Sequence, residues 1–273
     1  FFDIDFNEFS NLHEIGVGGS GAIVFKATWN SQQVAVKLYR CAIMDNIDTF
    51  NQFTKEIKLL YSLRHTNIVC FYGASLKPPR FGIVMEFCEG GTLASYIKRH
   101  ANAMLFQTKL QILLGICNGM VYLHGKKMIH RDLKCDNVLL DVNLTPKLTD
   151  FGVSTIANQQ HAMTKQIGTS TYMAPELVLN EFYDEKCDVY SFAIIMFELL
   201  VETLKPYGEK SVFNIEYHVA SNPLFRPAIP LTFKVLQIHH WYLELMAKCW
   251  KHNPSDRPSF VEIANEIRDH INQ

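Results

Sequence analysis

Between Phe9 and Tyr39 short β-rich runs alternate with glycine: FSNLHEI, then GVGGSG, then AIVFKATW, then QQVAVKLY. β-branched and aromatic runs of this length around a glycine cluster predict strand, tight turn, strand, turn, strand. The period then changes. From 47 to 63, Phe50, Phe53, Ile57, Leu60 and Leu63 fall at helical spacing with Lys and Glu between them, which predicts one amphipathic helix. NIVCFYGASL and FGIVMEF predict two more strands, joined by the turn KPPR. After EGG at 89 to 91 the texture is helical: LASYIKRH, TKLQILLGICNGMVYLHGKK, and several segments from about 184 onward. The expected architecture is a small β-rich lobe, a larger α-rich lobe and a cleft between them. Residues 154 to 173, STIANQQHAMTKQIGTSTYM, are hydroxyl-rich and weakly periodic, which predicts a long surface loop of the kind that is functional or mobile.

A chain of 273 residues is long enough for two lobes. Apolar residues make up 48%, charged residues 19%, and the formal net charge is −1, an ordinary mixture for a soluble globular enzyme. Nothing in it asks for nucleic acid or a membrane. The longest nearly uncharged apolar run, SFAIIMFELLV at 191 to 201, is shorter than the roughly 20 residues a bilayer span needs, so it predicts a buried helix. The opening FFDIDFNEF has no basic region of a signal peptide. Seven cysteines form no C-x-x-C pair, which favours free thiols in a reducing, cytoplasmic setting over disulfides or zinc. Cys88 and Cys135 are expected to be buried structural thiols.

The chemistry-bearing residues come in short clusters. Gly16-Val17-Gly18-Gly19-Ser20-Gly21 is a G-x-G-x-x-G whose missing Cβ atoms let backbone N–H groups approach phosphate oxygens; a glycine-rich hairpin turn explains it equally well. The dinucleotide-binding version needs a helix directly afterwards, and here a strand follows. Lys37 ends the strand run Val34-Ala35-Val36. It is either a solvated strand end or a cleft lysine that needs a partner, and Glu56 is the partner the next helix offers. Lys55 and Lys58 flank Glu56, so a solvated helix face stays open.

HRDLKCDN at 130 to 137 puts charged groups between two apolar segments, as a polar loop at a cleft floor would. Asp132 could accept or orient a hydroxyl proton, Lys134 balance phosphate charge, and Asn137 hold a metal. Asp150-Phe151-Gly152 offers a carboxylate at a strand end, a hard-oxygen ligand suited to Mg²⁺. Ala174-Pro175-Glu176 follows.

Taken in order, G-x-G-x-x-G-x-x-V, V-A-V-K, H-R-D-L-K-x-x-N, D-F-G and A-P-E resemble the eukaryotic-type protein kinase catalytic domain over nearly all of residues 9 to 270. The resemblance implies an α+β bilobal fold. Residues 1–87 would form the N-lobe, a small antiparallel sheet with one regulatory helix, and 88–273 a mainly helical C-lobe. It implies ATP and Mg²⁺ as cofactors, with Asn137 and Asp150 on the metal, and Asp132, Lys134, Lys37 and Glu56 as the other catalytic groups. Ile15, the glycines, Ser20 and Thr149 would border the nucleotide. Val24, Ala35 and Leu139 would sandwich the adenine, with Met85 as gatekeeper and Glu86, Phe87 and Cys88 as hinge. Leu60, Phe71, His130 and Phe151 would form the regulatory hydrophobic column. Asp188 would anchor the catalytic loop's backbone, and Arg257 would pair with Glu176.

Lys134 together with Thr169 implies serine/threonine specificity, and CEGGTL, GTSTYMAPE and CWKHNPSDRPSF most resemble the tyrosine-kinase-like group of serine/threonine kinases. Dual specificity including tyrosine remains an alternative. So does a nucleotide-binding pseudokinase scaffold, and a small-molecule phosphotransferase would lack A-P-E. Arg131, beside Asp132, would dock a phosphorylated loop residue, with Thr164 the leading site and Ser154, Thr155, Ser170 and Thr171 as competitors. The abrupt ends FFDIDF and HINQ suggest an excised domain whose regulatory domains or upstream kinase lie outside it, acting on Ser/Thr-bearing protein substrates.

Overall fold

A computed structural model describes residues 2–18, 22–39, 47–77, 80–151, 154–156, 169–230 and 240–272. Gly19, Ser20, Gly21, Gly152 and Thr164 lie outside the described residues.

The chain opens with β1 (Phe2–Asp3), β2 (Ser10–Val17), β3 (Ile23–Trp29) and β4 (Gln32–Tyr39), then helix α1 (Ile47–Ser62), then β5 (Phe71–Ser75) and β6 (Phe81–Glu86). These strands form one sheet in the order β1-β5-β6-β4-β3-β2. Five strands pair antiparallel, and β1 adds to the β5 edge in parallel. The small antiparallel sheet is as expected, and the parallel edge is an addition to it, since a two-residue strand carries no alternation to read.

β4 sits in the middle of the sheet and is buried on both faces, as a central strand should be. Val34 and Val36 point into a small cluster with Ile4, Phe9, Ala27 and Val84. The two-residue period puts Ala35, Lys37 and Tyr39 on the opposite face, where Tyr39 meets Phe53 of α1 with ring centroids 5.0 Å apart. On α1, Phe53, Glu56, Ile57 and Leu60 are buried while Lys55 and Lys58 are exposed. Glu56 therefore rides on the apolar stripe and its neighbours do not.

The helical part follows β7 (Gly91–Thr92) with α2 (Leu93–Arg99) and α3 (Phe106–Gly125). Thr92 caps α2 by accepting from Ser95 N–H. β8 (Met128–Ile129), β9 (Val138–Leu140), β10 (Pro146–Leu148) and β11 (Thr155–Ile156) are short ribbons that frame the polar loop 130–137. Beyond them come α4 (Pro175–Val178), α5 (Lys186–Val201), α6 (Val212–Ser221), α7 (His240–Cys249) and α8 (Phe260–Ile271). The apolar run 191–201 lies in α5, whose side chains are buried from Cys187 to Leu200. A helix apolar on every side is enclosed on every side. The fold is thus α+β and bilobal, a small sheet with one helix followed by a larger helical lobe. Among the described residues no helix is long and apolar enough to cross a membrane.

The stretch 154–173 is not wholly a surface loop. Ser154 is buried with its hydroxyl on His130 O at 3.3 Å, and Thr155–Ile156 pair with β8. Ser170–Tyr172 form a 3-10 turn whose Tyr172 is buried, its hydroxyl on Glu198 Oε2 at 2.6 Å. Hydroxyls that find partners can be buried, so a polar composition misleads at both ends of this segment. Residues 157–168 lie outside the described residues.

Glu198 on α5 gives a pH prediction. Burial pushes its carboxyl up to about 7 from an ordinary 4.5, although hydrogen bonds from Tyr172 and Cys135 work the other way. The folded chain then holds a proton between those two values that the unfolded chain has released. By linkage its stability falls as pH rises through that window. Glu198→Gln is expected to flatten the fall, which thermal melts of both proteins at pH 5 and pH 7.5 would measure.

Candidate active site

Lys37, from the inner face of β4, is 5% exposed. Its Nζ lies 2.8 Å from Glu56 Oε1 and 3.3 Å from Asp150 Oδ1, so residues 113 apart in sequence meet at one ammonium. Burial alone would lower the Lys37 ammonium, but the negative charges of Glu56 and Asp150 help to outweigh it and raise it, so the amine stays charged. Of its three N–H donors, two are used by these carboxylates. Tyr39 donates to the other oxygen of Glu56, Oε2, at 2.7 Å.

Gly18 lies over this pair. Its N–H donates to Ala22 O at 2.7 Å, and a Cβ at Gly18 would sit 3.5 Å from Lys37 Cε. Gly18 therefore lies directly against the lysine stem. At Gly16 a Cβ would meet nothing within 4 Å, so that position is not sterically required.

Around the same opening, Ala35 pairs with Met85 across β4 and β6, and both are buried. Val24 pairs with Lys37, Ile15 is 52% exposed at the end of β2, and Leu139 lies half-buried on β9. Glu86 ends β6 at the crossing between lobes. Its carboxylate accepts from Cys70 N–H at 2.7 Å and pairs with Lys147 of β10 at 3.2 Å, tying the sheet to the helical lobe. Lys26 stands 4.5 Å over the Phe87 ring. Cys88 is buried, and burial pushes its thiol up to about 12. Cys135 is buried too and its thiol is likewise raised, so neither is a ready thiolate.

The polar loop is held from beneath by Asp188, which is completely buried at the start of α5. Its Oδ2 accepts from His130 N–H at 2.9 Å and its Oδ1 from Arg131 N–H at 2.8 Å, while His124 Nε2 lies 2.9 Å from Oδ2. Burial would raise this carboxyl, and the hydrogen bonds from the His124 ring and the His130 backbone help to reverse that, leaving it below the ordinary value. His130 Nδ1 accepts from Asp132 N–H at 3.3 Å, so its Nε2 carries the proton that points to Thr149 O at 3.1 Å. One imidazole thus links the loop to the residue before Asp150. Its ring lies 5.3 Å from that of Phe151, and Leu60, Phe71 and Phe151 are all in the main core.

Asp132 gathers four donors. Asn137 Nδ2 reaches Oδ2 at 2.8 Å, Lys134 Nζ also reaches Oδ2 at 2.8 Å, and Thr169 donates to Oδ1 from N–H at 3.0 Å and from its hydroxyl at 3.2 Å. Lys134 additionally donates to Thr169 Oγ1 at 2.6 Å. Arg131 and Asp150 have left-handed backbones, φ 66° and 61°, which non-glycine residues adopt at a cost of about 1–3 kcal/mol. Arg131 Nη1 donates to the Tyr183 hydroxyl at 3.1 Å.

The donor set suits a hard divalent cation. Asn137 spends its amide nitrogen on Asp132, which leaves its side-chain carbonyl oxygen as an acceptor, and the Asp150 side chain remains 27% exposed beside Lys37. Two oxygen ligands are too few for a closed cage and fit Mg²⁺, which completes its octahedron with water and phosphate oxygens.

Lys37, Glu56 and Asp150 thus meet directly, as do Asp132, Lys134, Asn137 and Thr169. Tyr39 and His124 went unseen in the sequence. Tyr39 was reachable through the two-residue period from Lys37, whereas nothing in the spacing pairs His124 with Asp188.

A model of the family described as protein tyrosine and serine/threonine kinase matches residues 9–267. Serine/threonine-protein kinase STY46 of Arabidopsis thaliana is 36% identical over 257 residues, covering 94% of this chain and 43% of that protein. Serine/threonine-protein kinase STY17 of the same plant is 33% identical over 272 residues, covering 100% and 46%. The RGS domain-containing serine/threonine-protein kinase A of Dictyostelium discoideum is 35% identical over 261 residues, covering 96% and 22%. The chain spans less than half the length of each of these relatives.

Proposed function

The chain belongs to the protein tyrosine and serine/threonine kinase family, and from that premise we propose that it transfers the γ-phosphoryl group of ATP to serine and threonine hydroxyls of proteins. The observation that carries this reading is the meeting of Lys37 with Glu56 at 2.8 Å and Asp150 at 3.3 Å, with Thr149, the residue before Asp150, bonded through its N–H to Asn137 O of the Asp132 network at 3.0 Å. In this reading Lys37 spends its third N–H on the nucleotide's phosphates, with Gly16, Gly18, Gly19, Ser20 and Gly21 over them. Ile15, Val24, Ala35, Met85, Leu139 and Thr149 border the nucleotide, and backbone groups of Glu86 and Cys88 receive the adenine. Mg²⁺, held by Asp150 and Asn137, supplies charge neutralisation on the phosphates when bound.

Asp132 orients the incoming hydroxyl and accepts its proton. Lys134 sits between that carboxylate and Thr169, where its charge offsets the one that builds on the transferring group. Because little covalent chemistry is asked of the protein, positioning and electrostatics carry the rate. The Lys134 to Thr169 hydrogen bond at 2.6 Å favours serine and threonine over tyrosine, as do the names of the relatives. The division into lobes at residues 1–87 and 88–273, a cytoplasmic setting, and regulation by domains or an upstream kinase outside this chain belong to the same proposal. Phosphorylation at Thr164, with Arg131 as its dock, is the proposed switch.

Incubation with γ-labelled ATP, Mg²⁺ and a generic protein, followed by acid hydrolysis, is expected to yield phosphoserine and phosphothreonine. Phosphotyrosine alongside them would make the enzyme dual-specific, and no label at all would overturn the reading in favour of a scaffold. Peptide mapping of the same reaction reports whether Thr164 carries label.

A further inference from the structure

Glu56 is gripped twice. Its Oε1 takes Lys37 at 2.8 Å, and its Oε2 accepts the Tyr39 hydroxyl at 2.7 Å. Both partners stand on the same face of β4, two residues apart. An ion pair through one oxygen leaves a carboxylate free to turn about its last bond, whereas a second bond to the other oxygen fixes the plane of the group and the height of the helix that bears it. The Tyr39 ring is wedged against Phe53, and Phe53 against Phe81, with centroids 5.0 and 6.1 Å apart. Phe53 lies one turn before Glu56 on α1, so the phenol touches that helix at two points on one stripe.

We propose that Tyr39 is a positioning residue for phosphoryl transfer, acting through Glu56: it holds α1 against β4 in the one orientation that keeps Lys37 paired with Glu56 and aimed at the nucleotide. The inference rests on the protein-kinase reading of this site. Lys37 has two carboxylates to choose from, and Asp150 is also the metal ligand. Were Glu56 to swing out, the buried ammonium would fall back on Asp150 and compete with the cation for it. The phenol makes that swing costlier, because leaving would strand a buried hydroxyl as well as break the Lys37 ion pair. Burial also pushes the Tyr39 phenol up, with Lys37 lowering and Glu56 raising it, so it stays a protonated donor at any working pH. No member of the family's motif set falls on this position, and a tyrosine at a strand end is otherwise read as core packing.

The test is a double-mutant cycle on the chain as it stands: wild type, Tyr39→Phe, Glu56→Ala and the double variant. Tyr39→Phe keeps the ring and removes one oxygen. It is expected to lower kcat/KM for ATP about ten-fold, the scale of one lost hydrogen bond to a charged group, with KM for the protein substrate unchanged. In the Glu56→Ala background the same change should make less than a two-fold difference, since the hydroxyl has lost its acceptor. Hydrogen exchange gives a reading independent of turnover: amides of α1 around Glu56 should exchange about ten-fold faster in Tyr39→Phe, while those of α3 stay as they were. Activity within two-fold of wild type would overturn the proposal, and so would an equal loss in both backgrounds. If the wild-type chain transfers no phosphate, the kinase reading fails instead, and unchanged α1 exchange in Tyr39→Phe would then refute the positioning role separately.

Discussion

Asp132→Asn is expected to lower kcat by about three orders of magnitude, within the range that a positioned acid or base contributes, while ATP affinity and Tm stay near wild type. Both oxygens of Asp132 are already engaged, Oδ1 with Thr169 and Oδ2 with Asn137 and Lys134. Asparagine keeps one acceptor oxygen for Thr169 but loses the negative charge that receives a proton. It also leaves Lys134 facing an amide. Nothing in the Lys37–Glu56–Asp150 group is touched, so nucleotide binding should persist. Steady-state kinetics beside a nucleotide titration and a thermal melt separates these quantities. A variant that lost ATP binding in step with turnover would place Asp132 in the binding of nucleotide rather than in the chemistry.

The largest stability effect belongs to a buried ion pair of the helical lobe. Arg257 is buried with Glu176, its Nη1 on Oε1 at 2.6 Å and its Nη2 on Oε2 at 2.9 Å. Its remaining donors reach Lys251 O at 2.8 Å, Lys186 O at 3.0 Å and His252 O at 2.9 Å. All five N–H groups are thereby satisfied, and the guanidinium stands 5.3 Å over the Tyr190 ring. Arg257→Ala would strand the Glu176 carboxylate and three carbonyls at once, costing about 3–5 kcal/mol. For a domain of this size that is a fall in Tm of roughly 6–20 °C, measurable by calorimetry. Arg257→Lys should recover little of it, because three donors on a flexible stem cannot reproduce a planar fork. Replacing Glu176 and Arg257 together by well-packed apolar residues should recover more than either single change, since no charge is then left alone.

Much of this site is legible in the sequence, for reasons that differ by residue. The polar loop 130–137, Asp150 and Lys37 lie in compact clusters whose order along the chain is specific, so the sequence already points to each of them. Glu56 was harder. Its spacing from Phe53 and Leu60 places it on the apolar stripe of α1, but only the fold brings that stripe to β4 and leaves Lys55 and Lys58 in solvent. Tyr39 and His124 were missed because side-chain pairing between elements leaves no periodic trace along the chain. The ends of the 154–173 segment were misread for a related reason: Ser154 and Tyr172 are buried through partners, His130 O and Glu198, that lie in other elements. β1 was invisible because two residues cannot display a period.

Phosphoryl transfer by this site is measured most directly in a single-turnover time course of γ-phosphoryl transfer from ATP, run on the wild-type chain and on Asp132→Asn with and without Mg²⁺. Label on serine and threonine is expected from the wild type only when Mg²⁺ is present, with about a thousand-fold slower label from the variant. Label that formed equally fast in both proteins, or without Mg²⁺, would contradict the roles given to Asp132 and Mg²⁺.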